Sequence, residues 1–264
     1  MKLGIAMIVR DEQELLSWCL EGLTTIRNFI EVVSIVDNGS IDATPYIIEK
    51  YKDRLPIVVT FEASHRHFGN LRNLSLEQCH GDWILYIDSD ETFTSNMASW
   101  LASGELERAD IWDFMKCSTI LDHLHHVPSG AGPATRMFRN VLGAHFAERL
   151  HEHPHGEGLN TKQCCQGVYF FDHTALKSLR SLWAKGWRYQ AHAGGVAIGP
   201  PYEYVGRVQT ALDQPGMIEE LPQEIKEAGI ICPPSLDTHL FTMLSSMSSP
   251  SLRQSSPCWL RAMK

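Results

Sequence analysis

Long apolar runs are scarce in this chain of 264 residues. None approaches the roughly 20 apolar residues that cross a bilayer as a helix, so no membrane span is expected. Positive charge is also in deficit: 23 Lys and Arg face 31 Asp and Glu, a formal net charge of -8. That balance argues against a nucleic-acid binder, which usually presents a basic face. A diphosphate ligand survives the same test, because a bound cation supplies the positive charge that the global balance lacks. The seven cysteines form no Cys-x-x-Cys pair and no regular framework. They fit small buried side chains in a reducing compartment, and a cytoplasmic location is expected. There is no internal repeat. Residues 1–10 have a superficial leader look, but Arg10, Asp11 and Glu12 follow with no small-residue cleavage site, so a first strand is expected there.

What is present is an alternation. Leu3–Val9 is an apolar β run, and from Glu12 onward Leu15, Leu16, Cys19, Leu20, Leu23 and Ile26 recur at helical spacing. Residues 32–36 read as a second strand, closed by Asp37-Asn38-Gly39-Ser40, and Asp42 is placed to cap a helix carrying Ile47, Ile48 and Tyr51. Ile57–Phe61 reads as a third strand, residues 70–79 as a helix and residues 83–87 as a fourth strand. Such alternation predicts an α/β fold: a mostly parallel central sheet with helices on both faces. Past Asp110 the pattern loosens. Short strands are expected at 111–114 and 135–139 around a His-rich loop, another strand at 168–171, and a helix at 178–189. That helix places Lys177, Arg180, Lys185 and Arg188 beside Trp183 and Trp187, a face that packs on the domain or rests on an anionic membrane. From Leu244 on, Ser, Met and Pro dominate, and disorder or loose packing is expected.

The segment Trp83-Ile84-Leu85-Tyr86-Ile87-Asp88-Ser89-Asp90-Glu91 carries the most chemistry. An apolar run buried on both faces ends in clustered carboxylates, at the strand end where open α/β sheets bind ligands. Two Asp separated by one residue suit a hard divalent cation that bridges a diphosphate.

Ile8-Val9-Arg10-Asp11-Glu12, then Val36-Asp37-Asn38-Gly39-Ser40-Ile41-Asp42-Ala43-Thr44, then Arg72-Asn73, then Ile87-Asp88-Ser89-Asp90-Glu91 together resemble a family 2 glycosyltransferase of GT-A fold, in order and in spacing. Asp11 stands where that family usually has Asn before the Glu. The resemblance implies an inverting, metal-dependent transfer of sugar from a nucleoside diphosphate donor, a UDP-sugar before a GDP-sugar. It implies that Asp37 accepts from the base, that Arg10 and Glu12 line base and ribose, and that Arg72 pairs with the diphosphate. Asp88 and Ser89 would complete the nucleotide site, and Asp90, with Asp88 and the late His173, would hold Mn2+ or Mg2+. The domain is expected over residues 1–190, with a nucleotide half (1–91) and an acceptor half (92–190), followed by an extension over 191–264.

Arg136-Met137-Phe138-Arg139-Asn140, Phe146 and His151-Glu152 resemble the acceptor side of bacterial family 2 enzymes that act on cell-surface or peptide acceptors. Glu152 is the candidate general base for the acceptor hydroxyl. Asp122, Glu148 and Asp172 are rivals. The acceptor is left open between saccharide, lipid and peptide. Residues 65–69 and 121–132 are candidate loops closing over the donor. The wider set His123, His125, His126, His145, His151, His153 and His155 lines a polar cleft, forms a solvated loop or binds a transition metal. His151-Glu152-His153-Pro154-His155 imitates a zinc-protease motif, but Pro154 is incompatible with the continuous helix that chemistry requires. Two other classes remain: a cation-dependent nucleotidyltransferase, disfavoured by the lack of a Gly-rich loop after the first strand, and a non-catalytic nucleotide-sugar-binding relative.

Overall fold

The computed structural model describes residues 1–63, 67–122, 125–148, 152–174, 177 and 181; the side chains of residues 118–131 lie outside that description. In chain order the elements are β1 (Leu3–Val9), α1 (Leu16–Thr24), β2 (Ile30–Asp37), α2 (Thr44–Tyr51), β3 (Ile57–Phe61), α3 (Phe68–Leu76) and β4 (Trp83–Tyr86). There follow β5 (Glu91–Phe93), α4 (Met97–Ala102), β6 (Ile111–Asp122), β7 (His125–Arg139), β8 (His145–Phe146), β9 (Pro154–His155) and β10 (Lys162–Asp172).

Eight strands form one sheet in the order β3-β2-β1-β4-β7-β6-β10-β5, and β8 with β9 forms a small second one. β1 pairs in parallel with β2 and β4, and β2 with β3. β7 joins β4 antiparallel, with Leu85 opposite Met137. The α/β sheet expected from the alternation is therefore present, with β1 to β4 parallel and β7 antiparallel to β4.

The period-2 alternation of the strands divides the core in two. Leu3, Ile5, Met7 and Val9 of β1 and Trp83, Leu85 and Ile87 around β4 share one cluster with Leu16, Leu20 and Leu23 of α1, Ile48 of α2 and Met97 of α4. Ala6, Ile84 and Tyr86 point the other way and join Cys79, Phe138 and Phe146. Helices therefore cover both faces. The α3 side demands a close approach: a Cβ on Gly4 would sit 2.7 Å from Cys79 Cβ.

Two expectations change beyond Asp110. The His-rich loop placed at 121–132 is strand, since β6 runs to Asp122 and β7 begins at His125. Short polar and Gly-containing stretches hid its length, because strand pairing tolerates them where one side meets solvent. Of the other candidate loop, 65–69, residues 65 and 66 lie outside the described residues, and His67 and Phe68 open α3, with His67 Nδ1 accepting from Asn70 N–H at 3.3 Å. The helix at 178–189 (except Ser181), the domain limit at 190, the extension from 191 onward and His151 also lie outside the described residues.

By Cα packing the chain divides into one unit of residues 1–116 and 132–170 and another of 117–131 and 171–264. Asp172, His173 and Thr174 belong to the second unit; Thr174 N–H donates to Asp172 Oδ1 at 2.9 Å, and His173 is buried.

Candidate donor-binding site

Parallel strands bring their C-terminal ends to one edge, and here three of them deliver polar loops together. Val9 lies opposite Asp37, and Ile87 N–H continues the β4–β1 pairing by donating to Ala6 O at 3.2 Å. Residues 10–12, 37–44 and 87–91 accordingly leave the same edge, with β1 between the other two strands.

The first two loops are stitched to each other. Asp11 N–H donates to Ser40 Oγ at 3.0 Å, Ile41 N–H returns to Asp11 Oδ1 at 2.9 Å, and Glu12 N–H donates to Thr44 Oγ1 at 2.7 Å. Asp11 adopts a positive φ of 53°, which this reciprocal bonding holds in place. Asp42 serves both loops, with Oδ1 accepting from Thr44 N–H and Oδ2 from Gln13 N–H. Asp37 closes its own turn, Oδ1 accepting from Ser40 N–H at 2.8 Å, and is buried beside Gly39, whose φ is 79°. Turn chemistry and pocket chemistry thus coexist at Asp37. Arg10 Nε is buried with no hydrogen-bond partner among the described residues.

The third loop holds the charge. Asp88 is 37% exposed, whereas Ser89, Asp90 and Glu91 are buried. Asp88 Oδ1 accepts from Arg72 Nη2, and Oδ2 lies 3.4 Å from Arg136 Nη2. Burial pushes the Asp88 carboxyl up, but Arg72 and then Arg136 outweigh it and hold the group well below the usual carboxylate range. Glu91 moves the other way: burial raises it against the opposing pull of Arg136. The Cys19 thiol beneath the loop, 3.5 Å from Asp88 O, is pushed well up by burial and then by Glu91, Asp90, Asp88 and Glu12. Glu12 therefore converges with the third loop around a single sulfur.

Arg72 is buried, and its Nε and Nη1 have no hydrogen-bond partner among the described residues. Its guanidinium lies 5.6 Å from the Tyr86 ring centroid, and that of Arg136 lies 5.4 Å from the same ring. The neighbouring Asn73 binds the acceptor half: its Nδ2 donates to Phe146 O at 2.9 Å and its Oδ1 accepts from Phe146 N–H at 2.7 Å. A Cβ on Gly69 would meet Glu148 O at 2.4 Å, so only glycine lets α3 approach residues 146–148 this closely. Adjacent residues of one helix thus fasten the turn after β4 and the strand β8.

Glu152 is half-buried, and its charge raises the pKa of both Arg72 and Tyr86, so it lies within electrostatic reach of that pair. Its rival Glu148 is otherwise engaged. Glu148 Oε1 accepts from His155 Nε2 at 2.7 Å and Oε2 from His153 N–H at 3.1 Å. Burial raises Glu148, but these bonds prevail and bring it down to about 2. Pro154 and His155 form β9, a strand, so the zinc-protease imitation has no helix to stand on.

Sequence reasoning missed Arg136, Glu91 and Lys116 as part of this cluster. Lys116 Nζ lies 3.4 Å from Glu91 Oε1. A signal existed for Arg136: strand periodicity puts it on the face of Phe138, an apolar face where a charge needs a partner. Among the described residues no group of three His, Cys, Asp or Glu side chains is arranged to hold a metal ion. Asp90 and Asp88 supply the oxygen donors that suit Mn2+ or Mg2+, and such a cation takes its remaining ligands from substrate phosphates and water. Both Asp88 oxygens face guanidinium groups.

Residues 5–102 match the description "Glycosyl transferase family 2". This region is similar to that family. A TPR repeat-containing protein of Synechococcus elongatus is 30% identical over 154 residues, 57% of this chain and 35% of that one. An uncharacterized glycosyltransferase of Mycoplasma pneumoniae is 34% identical over 92 residues, 32% of this chain and 30% of that one. Poly(ribitol-phosphate) beta-N-acetylglucosaminyltransferase TarS of Staphylococcus aureus is 38% identical over 60 residues, 22% of this chain and 10% of that one. The alignments thus span at most about a third of these relatives. A crystal structure of the first 349 residues of S. aureus TarS superposes with a TM-score of 0.50 at 16% identity, over 99% of this chain and 89% of that one, which establishes the GT-A architecture. Among the described residues no helix is long and apolar enough to cross a membrane.

Proposed function

We propose that this chain is an inverting glycosyltransferase that moves a sugar from a nucleoside diphosphate donor to a hydroxyl of a saccharide, lipid or peptide acceptor. One observation carries the reading: the buried, unpartnered Nε and Nη1 of Arg72, on a guanidinium that already touches Asp88 of the acidic turn. Buried donors without acceptors are costly, and a planar fork of this kind fits diphosphate oxygens. Relatives support the donor class, since S. aureus TarS has been crystallised with UDP-GlcNAc.

Asp37, with Arg10 and Glu12, receives base and ribose; Asp88 and Ser89 line the same pocket. Arg72 binds the diphosphate, where negative charge grows as the sugar departs. Mn2+ or Mg2+, which Asp90 would hold with Asp88 as a further candidate ligand, would add positive charge to that leaving group when bound; His173 belongs to the second unit and is not assigned to this site. Glu152 takes the proton from the acceptor hydroxyl. Its rival Glu148, held down at about 2, is too weak a base at neutral pH.

Incubation with a panel of UDP- and GDP-sugars and Mn2+ tests the proposal. Release of nucleoside diphosphate, abolished in Asp90→Asn, is expected. Sugar 1-phosphate instead would indicate nucleotidyl transfer, and binding without turnover a non-catalytic relative.

A further inference from the structure

Two guanidinium groups lie over Tyr86, and they differ in one respect. Arg72 uses one of its nitrogens; Arg136 uses all three. Arg136 Nε donates to Glu91 Oε2 at 2.7 Å, Nη2 to Glu91 Oε1 at 2.5 Å, and Nη1 to Thr135 O at 2.9 Å, while Nη2 also reaches Asp88 Oδ2. Asp88 stands between the two arginines, giving one oxygen to each. A carboxylate beside a single arginine prefers to bind it through both oxygens. Here the second oxygen of Asp88 faces Arg136 instead.

We propose that Arg136 is a positioning residue of the donor site: by gripping Glu91 and one oxygen of Asp88, it stops Asp88 from closing on Arg72 and so keeps Arg72 Nε and Nη1 available for a diphosphate. The inference rests on the donor reading above. It also makes the site composite, because Arg136 sits on β7, outside the matched residues 5–102. Antiparallel register brings it there: Leu85 pairs with Met137, so the next step sets Arg136 beside Tyr86. Arg136 does not act as surplus charge for the ligand, since its nitrogens are already committed.

The test measures UDP binding in Mn2+ by calorimetry, well below the melting temperature, together with thermal melting. Arg136→Lys keeps the charge but cannot span Glu91 and Asp88 at once. It should fold and bind UDP at least tenfold more weakly, with the loss in donor turnover falling on KM more than on kcat. Glu91→Gln/Arg136→Gln removes the buried ion pair as a unit, which restores melting toward wild type if it folds; its UDP affinity should stay low, because Asp88 is released. Wild-type UDP affinity in either folded variant would overturn the positioning role while leaving the donor reading intact. A wild-type protein that binds neither UDP nor GDP would overturn the donor reading itself, and this inference with it.

Discussion

Arg72 and Asp88 hold each other through one nitrogen and one oxygen, Nη2 to Oδ1, and leave the other two Arg72 nitrogens buried without an acceptor among the described residues. A pair formed only for stability would be expected to use the bidentate geometry. The single contact leaves room for a ligand.

Replacing Arg72 by Met keeps the stem and removes the donors. Two charge-assisted hydrogen bonds at about 1.5–3 kcal/mol each imply a fall in nucleoside diphosphate affinity of at least about 100-fold. Melting should stay near wild type, because Asp88 retains Arg136. Calorimetric titration with UDP checks this, and unchanged affinity would remove Arg72 from the site.

Glu152→Gln separates binding from chemistry. Loss of a general base lowers turnover by about 10²–10⁴-fold. Nucleotide affinity should remain close to wild type. Steady-state rates of sugar transfer, read beside UDP titrations, distinguish this from a binding defect.

Two glycines in helices should respond oppositely to alanine. At Gly69 the new Cβ would meet backbone oxygen of Glu148, which cannot swing aside as a side-chain end can. Overpacking costs about 1–3 kcal/mol, and the shift of α3 displaces Arg72 and Asn73 together, so stability and nucleotide binding should fall in step. At Gly22 of α1 nothing lies within 4 Å, and Ala there should stabilise by roughly 0.5–1 kcal/mol. Melting curves of the two variants check both signs.

The Glu148–His155 bond sets an acid limit. A carboxyl brought down from its ordinary value of 4.5 to about 2 contributes stability that is fully present above pH 4.5 and is lost as pH falls toward 2. Glu148→Gln should therefore melt below wild type at pH 6, with the gap narrowing steadily below pH 4.5. A gap independent of pH would contradict the assignment.

Much of the donor half was legible in the sequence because each of its signals is local. Apolar alternation marked β1 and β2, the Asp-Asn-Gly-Ser turn marked the end of β2, and a continuous apolar run marked β4. Asp37 and Asp90 then fall on one edge as a consequence of parallel pairing. The acceptor half was less legible. Nothing near residues 121–132 announces that β6 and β7 run long, since their pairing is with each other and with β4 and β10 rather than with local neighbours. Arg136 was overlooked for the same reason: its value depends on Glu91 and Asp88, 45 and 48 positions away. Asn73 matched a family pattern by identity, yet its work of holding Phe146 emerges only from the packing of α3 on β8.

The central claim is that the edge after β1, β2 and β4 binds a nucleoside diphosphate. A crystal structure of the chain grown with UDP and Mn2+ tests it most directly. The account predicts uracil beside Asp37, the diphosphate on Arg72 Nε and Nη1, and the cation against Asp90. Clear density for UDP elsewhere on the protein, with those two nitrogens still unpartnered, would contradict it.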